Sequence, residues 1–167
     1  MITRRHFLAS SLGAAALAVL PGVSSALAQA APIGSIKIEF APTVTHAWGA
    51  NIAIVRSELE RTLVDLLGPS LQRGAGTRLV VNISSVWLAS YAGGGGGGKP
   101  SDGGASNDYL ESIATLYDRS GRELASYPIL STELSGGAGA WYLPDVDQRR
   151  LRALARNNAY WIKRYVG

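Results

Sequence analysis

Apolar residues recur at every second position in some segments of the chain and at every third or fourth position in others. Residues 35–40 alternate with period two, which predicts a half-buried strand. A short loop holding His46 and Trp48 is expected next, followed by a helix over 51–67 with Asn51 as its N-terminal cap. The apolar positions of this helix have the spacing of an amphipathic helix: Ile52, Val55, Leu59, Leu63 and Leu66.

The middle of the chain contains three further segments that predict strands. Residues 78–91 form a long segment with apolar residues on both faces, which is typical of a strand in the interior of a sheet. Residues 108–117 and 122–131 predict a hairpin, because the turn 118–121 begins with Asp and ends with Gly. Pro128 lacks a backbone N–H and places the last strand at a sheet edge. One face of the long strand is expected in the core: Leu79, Val81, Ile83, Trp87 and Tyr91.

The segment from Asp145 almost to the C-terminus predicts a second amphipathic helix. Its apolar stripe is expected to consist of Leu151, Leu154, Ala155, Asn158, Trp161, Ile162 and Tyr165. Its basic residues lie off that stripe, together with Tyr160. The predicted element order is therefore β-α-β-β-β-α. This order suits an α+β two-layer sandwich, in which a mainly antiparallel sheet carries both helices on one face.

The composition indicates one domain of ordinary size. The 167 residues are enough for a single hydrophobic core but not for two. Because the chain has no cysteine, disulfide bonds, thiolate metal sites, a thiol nucleophile and an acylated lipoprotein cysteine are excluded. The formal net charge of +4 is modest and does not by itself require a nucleic-acid partner.

The N-terminus has the organisation of an export signal. Arg4 and Arg5 precede an apolar run over 7–20 that is rich in Ala and Leu. The string Thr-Arg-Arg-His-Phe-Leu at 3–8 resembles the twin-arginine export signal. The resemblance covers the signal alone, and it implies export of a folded protein to the periplasm. A general secretory signal that contains two arginines is the alternative.

Small residues after the apolar run provide two patterns that a signal peptidase accepts. We therefore expect a signal peptide over 1–30, cleaved after Ala28 or Ala30, and a single domain over 31–167. The apolar run is shorter than the roughly 20 residues that a membrane-spanning helix needs. No transmembrane segment is expected in the mature chain.

Glycine dominates one segment between the predicted strands. Residues 93–98 are six consecutive glycines, and we expect a mobile loop over 92–107, because such a stretch has high backbone entropy and nothing to bury. The alternative is a phosphate-binding loop, but this needs a particular glycine spacing and a helix start directly after it. A second glycine-rich loop is predicted over 135–140.

The mature chain offers few groups for catalysis. His46 is its only histidine, and no G-x-S-x-G motif is present. Glu111 and Glu133 lie among apolar strand residues without an evident structural role, yet nothing pairs them as glycoside hydrolysis requires. Asp145 and Asp147 are explained by capping of the last helix and by its dipole. We expect no catalytic residue, no cofactor and no metal, and a small periplasmic hydrolase using His46 is the alternative.

The basic side of the last helix is the strongest functional candidate. Residues 145–167 hold five Arg and one Lys against two Asp, a net charge of +4. Such a surface suits an anionic membrane surface or an envelope protein, whereas a solvated helix face is the alternative. Nucleic acid is not expected, because export removes the protein from it. The predicted interaction surface comprises Trp141, Tyr142, Arg149, Arg152, Arg156, Lys163 and Arg164, with the edge strand near Pro128 as a further contact.

The element order resembles that of small periplasmic α+β domains of envelope-assembly components. Examples are the lipopolysaccharide-assembly lipoprotein and the amino-terminal domain of the propeller protein of the Tol system. The resemblance lies in element order only, and no functional residue is carried over from these families. It implies a non-enzymatic, exported binding or envelope-assembly accessory protein located in the periplasm.

Overall fold

A computed structural model describes residues 32–90, 106–140 and 142–167. The predicted signal peptide, Trp141 and most of the predicted glycine-rich loop lie outside these residues. The main elements in chain order are β1 (Ile33–Phe40), α1 (Pro42–Trp48), α2 (Ile52–Leu67), β2 (Thr77–Trp87), β3 (Asn107–Tyr117), β4 (Glu123–Leu134) and α3 (Val146–Val166). Short 3₁₀ turns occupy Gly49–Asn51, Gly68–Ser70 and Ser135–Ala138.

The four strands form one mixed sheet in the order β1-β2-β3-β4. β1 and β2 are parallel, whereas the two other pairs are antiparallel. β2 is therefore an interior strand and β4 an edge strand, as the apolar faces of 78–91 and the position of Pro128 predict. The helices α2 and α3 pack together on one face of the sheet. This arrangement confirms the predicted α+β two-layer sandwich.

The core lies between the sheet and the two long helices. Branched aliphatic side chains dominate it, since they fill the space between a pleated sheet and a helix at close packing. The sheet contributes alternate residues, and each helix contributes one stripe. The largest fully buried apolar side chains are Ile33, Leu59, Leu63, Leu67, Leu79, Val81, Ile83, Leu110, Leu151, Leu154 and Ile162.

The segment after β1 is a helix, so the prediction of a loop there is wrong. Pro42 is the first residue of α1, where its fixed φ and missing N–H suit the first helical turn. Trp48 ends α1 and donates its indole N–H to the carbonyl of Val86 at 3.1 Å, which ties α1 to β2. The expected cap at Asn51 is also wrong: its backbone is helical, and its side chain makes no capping hydrogen bond.

A β-bulge in β2 changes which of its residues face the core. The register against β3 shifts between Ile83 and Ser85, so that the alternation of inward and outward positions is reversed beyond this point. Val86 consequently turns toward the core, and Trp87 is 52% exposed beside Tyr109 on the opposite face of the sheet. The prediction that Trp87 is a core residue is therefore wrong.

Most of the predicted stripe of α3 is buried, but its aromatic members are not. Trp161 and Tyr165 are exposed, whereas Ala159 and Val166 take buried positions that the predicted stripe omitted. The buried side of the helix is therefore rotated toward α2, and the two aromatic residues lie along its flank next to β4. The Tyr165 ring stacks on Tyr127 of β4 at 5.2 Å between centroids.

The turn between β3 and β4 is the predicted four-residue connection. Asp118 accepts hydrogen bonds from the hydroxyl and the backbone N–H of Ser120 and from the backbone N–H of Arg122. These bonds, that of the Ser120 hydroxyl first, hold the pKa of the Asp118 carboxyl below its ordinary value. Gly121 has a φ of 87°, which explains why glycine closes the turn.

Candidate functional site

A buried ion pair joins Arg150 of α3 to Asp108 of β3. Arg150 is 2% exposed, and its Nε donates to Asp108 Oδ2 at 2.7 Å. One Nη donates to the carbonyl of Ala89 at 2.7 Å, and the other donates to Asp147 at 3.0 Å. Asp108 in turn accepts the backbone N–H of Ala89 at 2.9 Å. The pair is thus extensively hydrogen-bonded, which is the condition for tolerating buried charge.

The pattern of the sequence contains a signal for this pair. Asp108 occupies the same face of β3 as Leu110, and Arg150 lies one helical turn before Leu154 on α3. When one apolar face carries an acidic residue and the apolar face packed against it carries a basic residue, a buried ion pair is expected. Arg150 therefore contributes to the interior and not to the basic surface in which its charge was counted.

A polar network lies in the core between α3 and the strands β3 and β4. Asn158 of α3 donates to the hydroxyl of Ser112 at 2.9 Å and to the hydroxyl of Ser131 at 3.0 Å. All three side chains are buried. The network links α3 to both β3 and β4, which explains an asparagine within the predicted apolar stripe.

Glu58 of α2 connects the two long helices. Its Oε1 accepts Arg156 of α3 at 2.9 Å and Arg61 of its own helix at 2.7 Å. Burial by itself raises the pKa of Glu58, but the hydrogen bonds from Arg156 and Arg61 outweigh this effect. The pKa of the carboxyl therefore lies below its ordinary value of 4.5.

The outward side of α3 carries the predicted basic residues, which we call the α3 cationic face: Arg149, Arg152, Arg156, Lys163 and Arg164. Arg149 is paired with Asp145 at 2.8 Å, and Arg156 is held by Glu58. In the part of the chain that the structure describes, Arg152, Lys163 and Arg164 have no carboxylate within ion-pair distance. Arg164 instead lies over the Trp161 ring at 5.4 Å from its centroid.

The expected caps of α3 act differently from the prediction. Asp145 is the capping residue by position, but its side chain makes no capping hydrogen bond. Its carboxylate accepts Arg149 instead, and this hydrogen bond keeps the pKa of Asp145 below its ordinary value. Asp147 accepts Arg150, and therefore supports the buried ion pair.

The loop before α3 presents the remaining predicted contact residues. Tyr142 is 71% exposed, while its neighbour Trp141 lies outside the described residues. The structure thus brings Tyr142 to the surface near the start of α3 and leaves the role of Trp141 as a prediction. Pro128, on the edge strand β4, is exposed and pairs with Ile113 on its inner side.

A cleft of about 320 Å³ lies on α3 beside the end of β4. It is lined by Glu133, Ala153, Arg156, Asn157, Tyr160 and Trp161. Glu133, for which the sequence offers no partner, accepts a hydrogen bond from Asn157 at 2.8 Å. Sequence reasoning missed this site because it treated Trp161 as a core residue.

His46 and Glu111, the other residues considered for catalysis, lie apart from this cleft. His46 is exposed on α1, and no hydrogen bond or ion pair joins its imidazole to another described residue. Glu111 is exposed on the open face of the sheet. Among the described residues, no group of three or more histidine and acidic side chains is placed to hold a metal ion.

Within the described ranges, no helix is both long enough and apolar enough to cross a lipid bilayer. The longest helix is α3, which carries basic residues near both of its ends.

No protein-family model matches the chain, and no curated protein matches it. Several solved structures are similar in outline, and the following three are among them. The first is a candidate lipoprotein from Caulobacter crescentus CB15, with 19% identity and a TM-score of 0.42, covering 78% of this chain and 86% of that chain. The second is a DUF330 protein from Xanthomonas campestris, with 13% identity and a TM-score of 0.46, covering 79% and 81%.

The third similar structure is a minor lipoprotein from Acinetobacter baumannii, with 11% identity and a TM-score of 0.37, covering 80% of this chain and 90% of that chain. At these identities and TM-scores the three structures resemble this chain in general architecture only. No residue role, ligand or partner is transferred from them.

Proposed function

We propose that this chain is an exported, non-enzymatic envelope protein that acts by contact, and that the α3 cationic face binds an anionic membrane surface. The observation that carries the proposal is the set of cations on this face that form no ion pair with a described carboxylate: Arg152, Lys163 and Arg164. A cation already paired within the fold adds little to the field outside it, whereas an unpaired one attracts anionic head groups.

Exposed aromatic side chains beside these cations support the same proposal. Tyr160 projects from the outward side of α3, and Trp161 and Tyr165 lie along its flank. Tyrosine and tryptophan combine an apolar ring with a polar group, and for this reason they suit the interface between water and lipid. In this arrangement α3 lies on the membrane surface. It does not enter the bilayer, because its apolar stripe is packed in the core of the protein.

The export signal over 1–30 and the periplasmic location belong to the proposal as well. They rest on the twin arginines, the apolar run and the cleavage patterns of the sequence. Replacement of Arg4 and Arg5 by Lys is expected to retain the unprocessed protein inside the cell. Processing that continues unchanged in this variant would indicate the general secretory route instead.

Membrane binding is tested by co-sedimentation of the protein with lipid vesicles at low salt. Vesicles that contain phosphatidylglycerol are expected to bind the protein, and vesicles of phosphatidylcholine alone are not. The double variant Arg152→Glu/Lys163→Glu is expected to weaken binding by at least about tenfold, since each basic residue near an anionic surface contributes about 1 kcal/mol. Arg156 is left unchanged, because its reversal would also place a second carboxylate next to Glu58.

A matched control variant carries the same change in net charge elsewhere. Arg73 and Arg119 are exposed, lie outside α3 and form no ion pair with a described residue. The variant Arg73→Glu/Arg119→Glu is expected to bind like the wild type. The proposal is overturned if the wild type binds both kinds of vesicle equally, if it binds neither, or if the two double variants lose binding to the same extent.

A further inference from the structure

The cleft on α3 owes its shape to one small residue among large ones. Positions 153, 156, 157, 160 and 161 lie on one side of the helix at spacings of three, four, seven and eight residues. Ala153 is the smallest of the lining residues, and its methyl side chain is shorter than those of its neighbours. A volume of about 320 Å³ is at the small end of ligand-binding sites, which suits one small ring rather than an extended ligand.

Hydrogen bonds to neighbouring residues fix the positions of the polar side chains in the cleft. Asn157 donates to Glu133 Oε1 at 2.8 Å and to the carbonyl of Thr132 at 3.3 Å. Arg156 is oriented by its hydrogen bond to Glu58. The second carboxylate oxygen of Glu133 and the other N–H groups of Arg156 are not used by these bonds, so that an acceptor and several donors remain for a ligand.

The two charges of the cleft are opposite in sign but do not pair with each other. Arg156 and Glu133 both line it, and among the described residues the ion-pair partner of Arg156 is Glu58 alone. A simple anion would be repelled by Glu133, and a simple cation by Arg156. The site therefore favours an uncharged ligand that accepts and donates hydrogen bonds at neighbouring positions.

Two aromatic side chains border the cleft. Trp161 is 37% exposed and Tyr160 is 60% exposed. Arg164 lies over the Trp161 ring, which restrains the orientation of the indole. The negative face of an aromatic ring attracts weakly positive C–H groups, and a sugar ring presents such groups on one flat face. Hydroxyl groups at the rim of the same sugar can reach Glu133 and Arg156.

We propose that this cleft binds one neutral sugar ring, with Trp161 stacking against its C–H face and with Glu133 and Arg156 bonding to its hydroxyl groups. The proposal goes beyond membrane binding and shares Arg156 and Trp161 with that surface. The vesicle test changes Arg152 and Lys163, which do not line the cleft, whereas the sugar test changes Trp161 and Glu133. Vesicle binding and sugar binding can therefore fail separately.

The experiment follows the indole N–H signal of Trp161 in ¹H–¹⁵N NMR spectra of the protein. The probes are glucose, galactose, mannose and N-acetylglucosamine, each titrated into the millimolar range. Inorganic phosphate and phosphoethanolamine are titrated in parallel as charged and zwitterionic comparisons. We expect at least one neutral sugar to shift the Trp161 signal in a saturable manner, while neither comparison compound does so.

Two substitutions separate the stacking from the hydrogen bonding. Trp161→Leu keeps an apolar side chain but removes the flat ring, and is followed through the backbone signals of residues 153 and 157. Glu133→Gln keeps the shape and removes the charge that strengthens hydrogen bonds. Each is expected to weaken sugar binding by about tenfold. Trp87→Leu, on the opposite face of the sheet, removes a tryptophan that is more exposed than Trp161 and is expected to leave binding unchanged.

Three results would overturn the proposal. The first is the absence of any saturable shift with all four sugars. The second is a shift at Trp161 with phosphate or phosphoethanolamine only, which would assign the cleft to a charged head group. The third is a loss of sugar binding in Trp87→Leu as large as that in Trp161→Leu. Thermal unfolding of every variant shows whether it is folded, and Glu133→Gln leaves the core untouched.

Discussion

The guanidinium of Arg150 and the carboxylate of Asp108 form an ion pair in the interior, between α3 and the beginning of strand β3. The same guanidinium bonds to Ala89, which follows β2. Ala89 and Asp108, which lie on either side of residues 91–105 in the chain, are thus attached to one side chain of α3. A charged group at this place is stabilising only while its partners are present, because its water has been removed.

Loss of one partner of this pair is therefore expected to be severe. Arg150→Met leaves the carboxylate of Asp108 buried without its cation, and should lower the free energy of unfolding by about 3–5 kcal/mol. Urea denaturation measures the difference. Arg149→Met removes an exposed pair with Asp145 and should lower the free energy of unfolding far less, since solvent screens exposed ion pairs. Equal losses of unfolding free energy in the two variants would show that the buried ion pair contributes no more to stability than the exposed one.

The lowered pKa of Glu58 predicts a pH-dependent contribution to stability. Its ordinary value is 4.5, so the ionised carboxylate stabilises the folded protein above that pH. This stabilisation is lost as the pH falls through the lower pKa of the folded state. Glu58→Gln should therefore reduce the free energy of unfolding by on the order of 1 kcal/mol near neutral pH, allowing for the exposure of Arg61 and Arg156.

Denaturation curves of the wild type and Glu58→Gln at about pH 7 and about pH 2 provide the measurement. The difference between the two proteins should shrink toward the acidic end. Asp118 and Asp145 also have lowered pKa values, but they are common to both proteins and cancel in the comparison. Glu60→Gln, an exposed change in the same helix, is the control. A difference that grows on acidification would contradict the assignment.

The Asn158 network predicts that replacing Asn158 alone by an apolar residue destabilises the protein more than replacing all three polar members of the network. Asn158→Leu leaves the hydroxyls of Ser112 and Ser131 buried without this partner, at an expected cost of about 2 kcal/mol in the free energy of unfolding. The triple variant that adds Ser112→Ala and Ser131→Ala removes those unpaired groups. It should recover at least half of the loss in chemical denaturation. A triple variant less stable than Asn158→Leu would show that packing, and not hydrogen bonding, decides this position.

The candidate site shows where sequence reasoning succeeded and where it could not. Helical periodicity alone predicts that Arg152 and Lys163 lie off the apolar stripe of α3, and both are partly exposed. Glu133 lies on the partly buried side of β4, and only the packing of α3 against this strand brings Asn157 to it. Periodicity assigns a residue to a side of its own element, but it carries no information about which element comes to lie opposite.

The predictions that Trp87 and Trp161 are core residues are wrong for different physical reasons. The bulge at Ser85 turns Trp87 to the opposite face of the sheet. A bulge adds one residue to one strand, and this insertion cannot be recognised from the pattern of apolar residues in a single sequence. Trp161 belongs to a helix whose rotation about its axis is set by contacts with α2 and β4. A helical stripe is wide enough for several such rotations, and the packing of small residues such as Ala159 selects one of them.

The sequence by itself determined the order of the four strands and the two long helices, the interior position of β2, the edge position of β4 and the turn at Asp118. Each of these depends on local periodicity or on the chemistry of one or two residues. The tertiary structure decided the pairing of Arg150 with Asp108 and the assembly of the cleft around Ala153. These features join residues far apart in the chain, and their formation depends on how two surfaces meet once the core has closed.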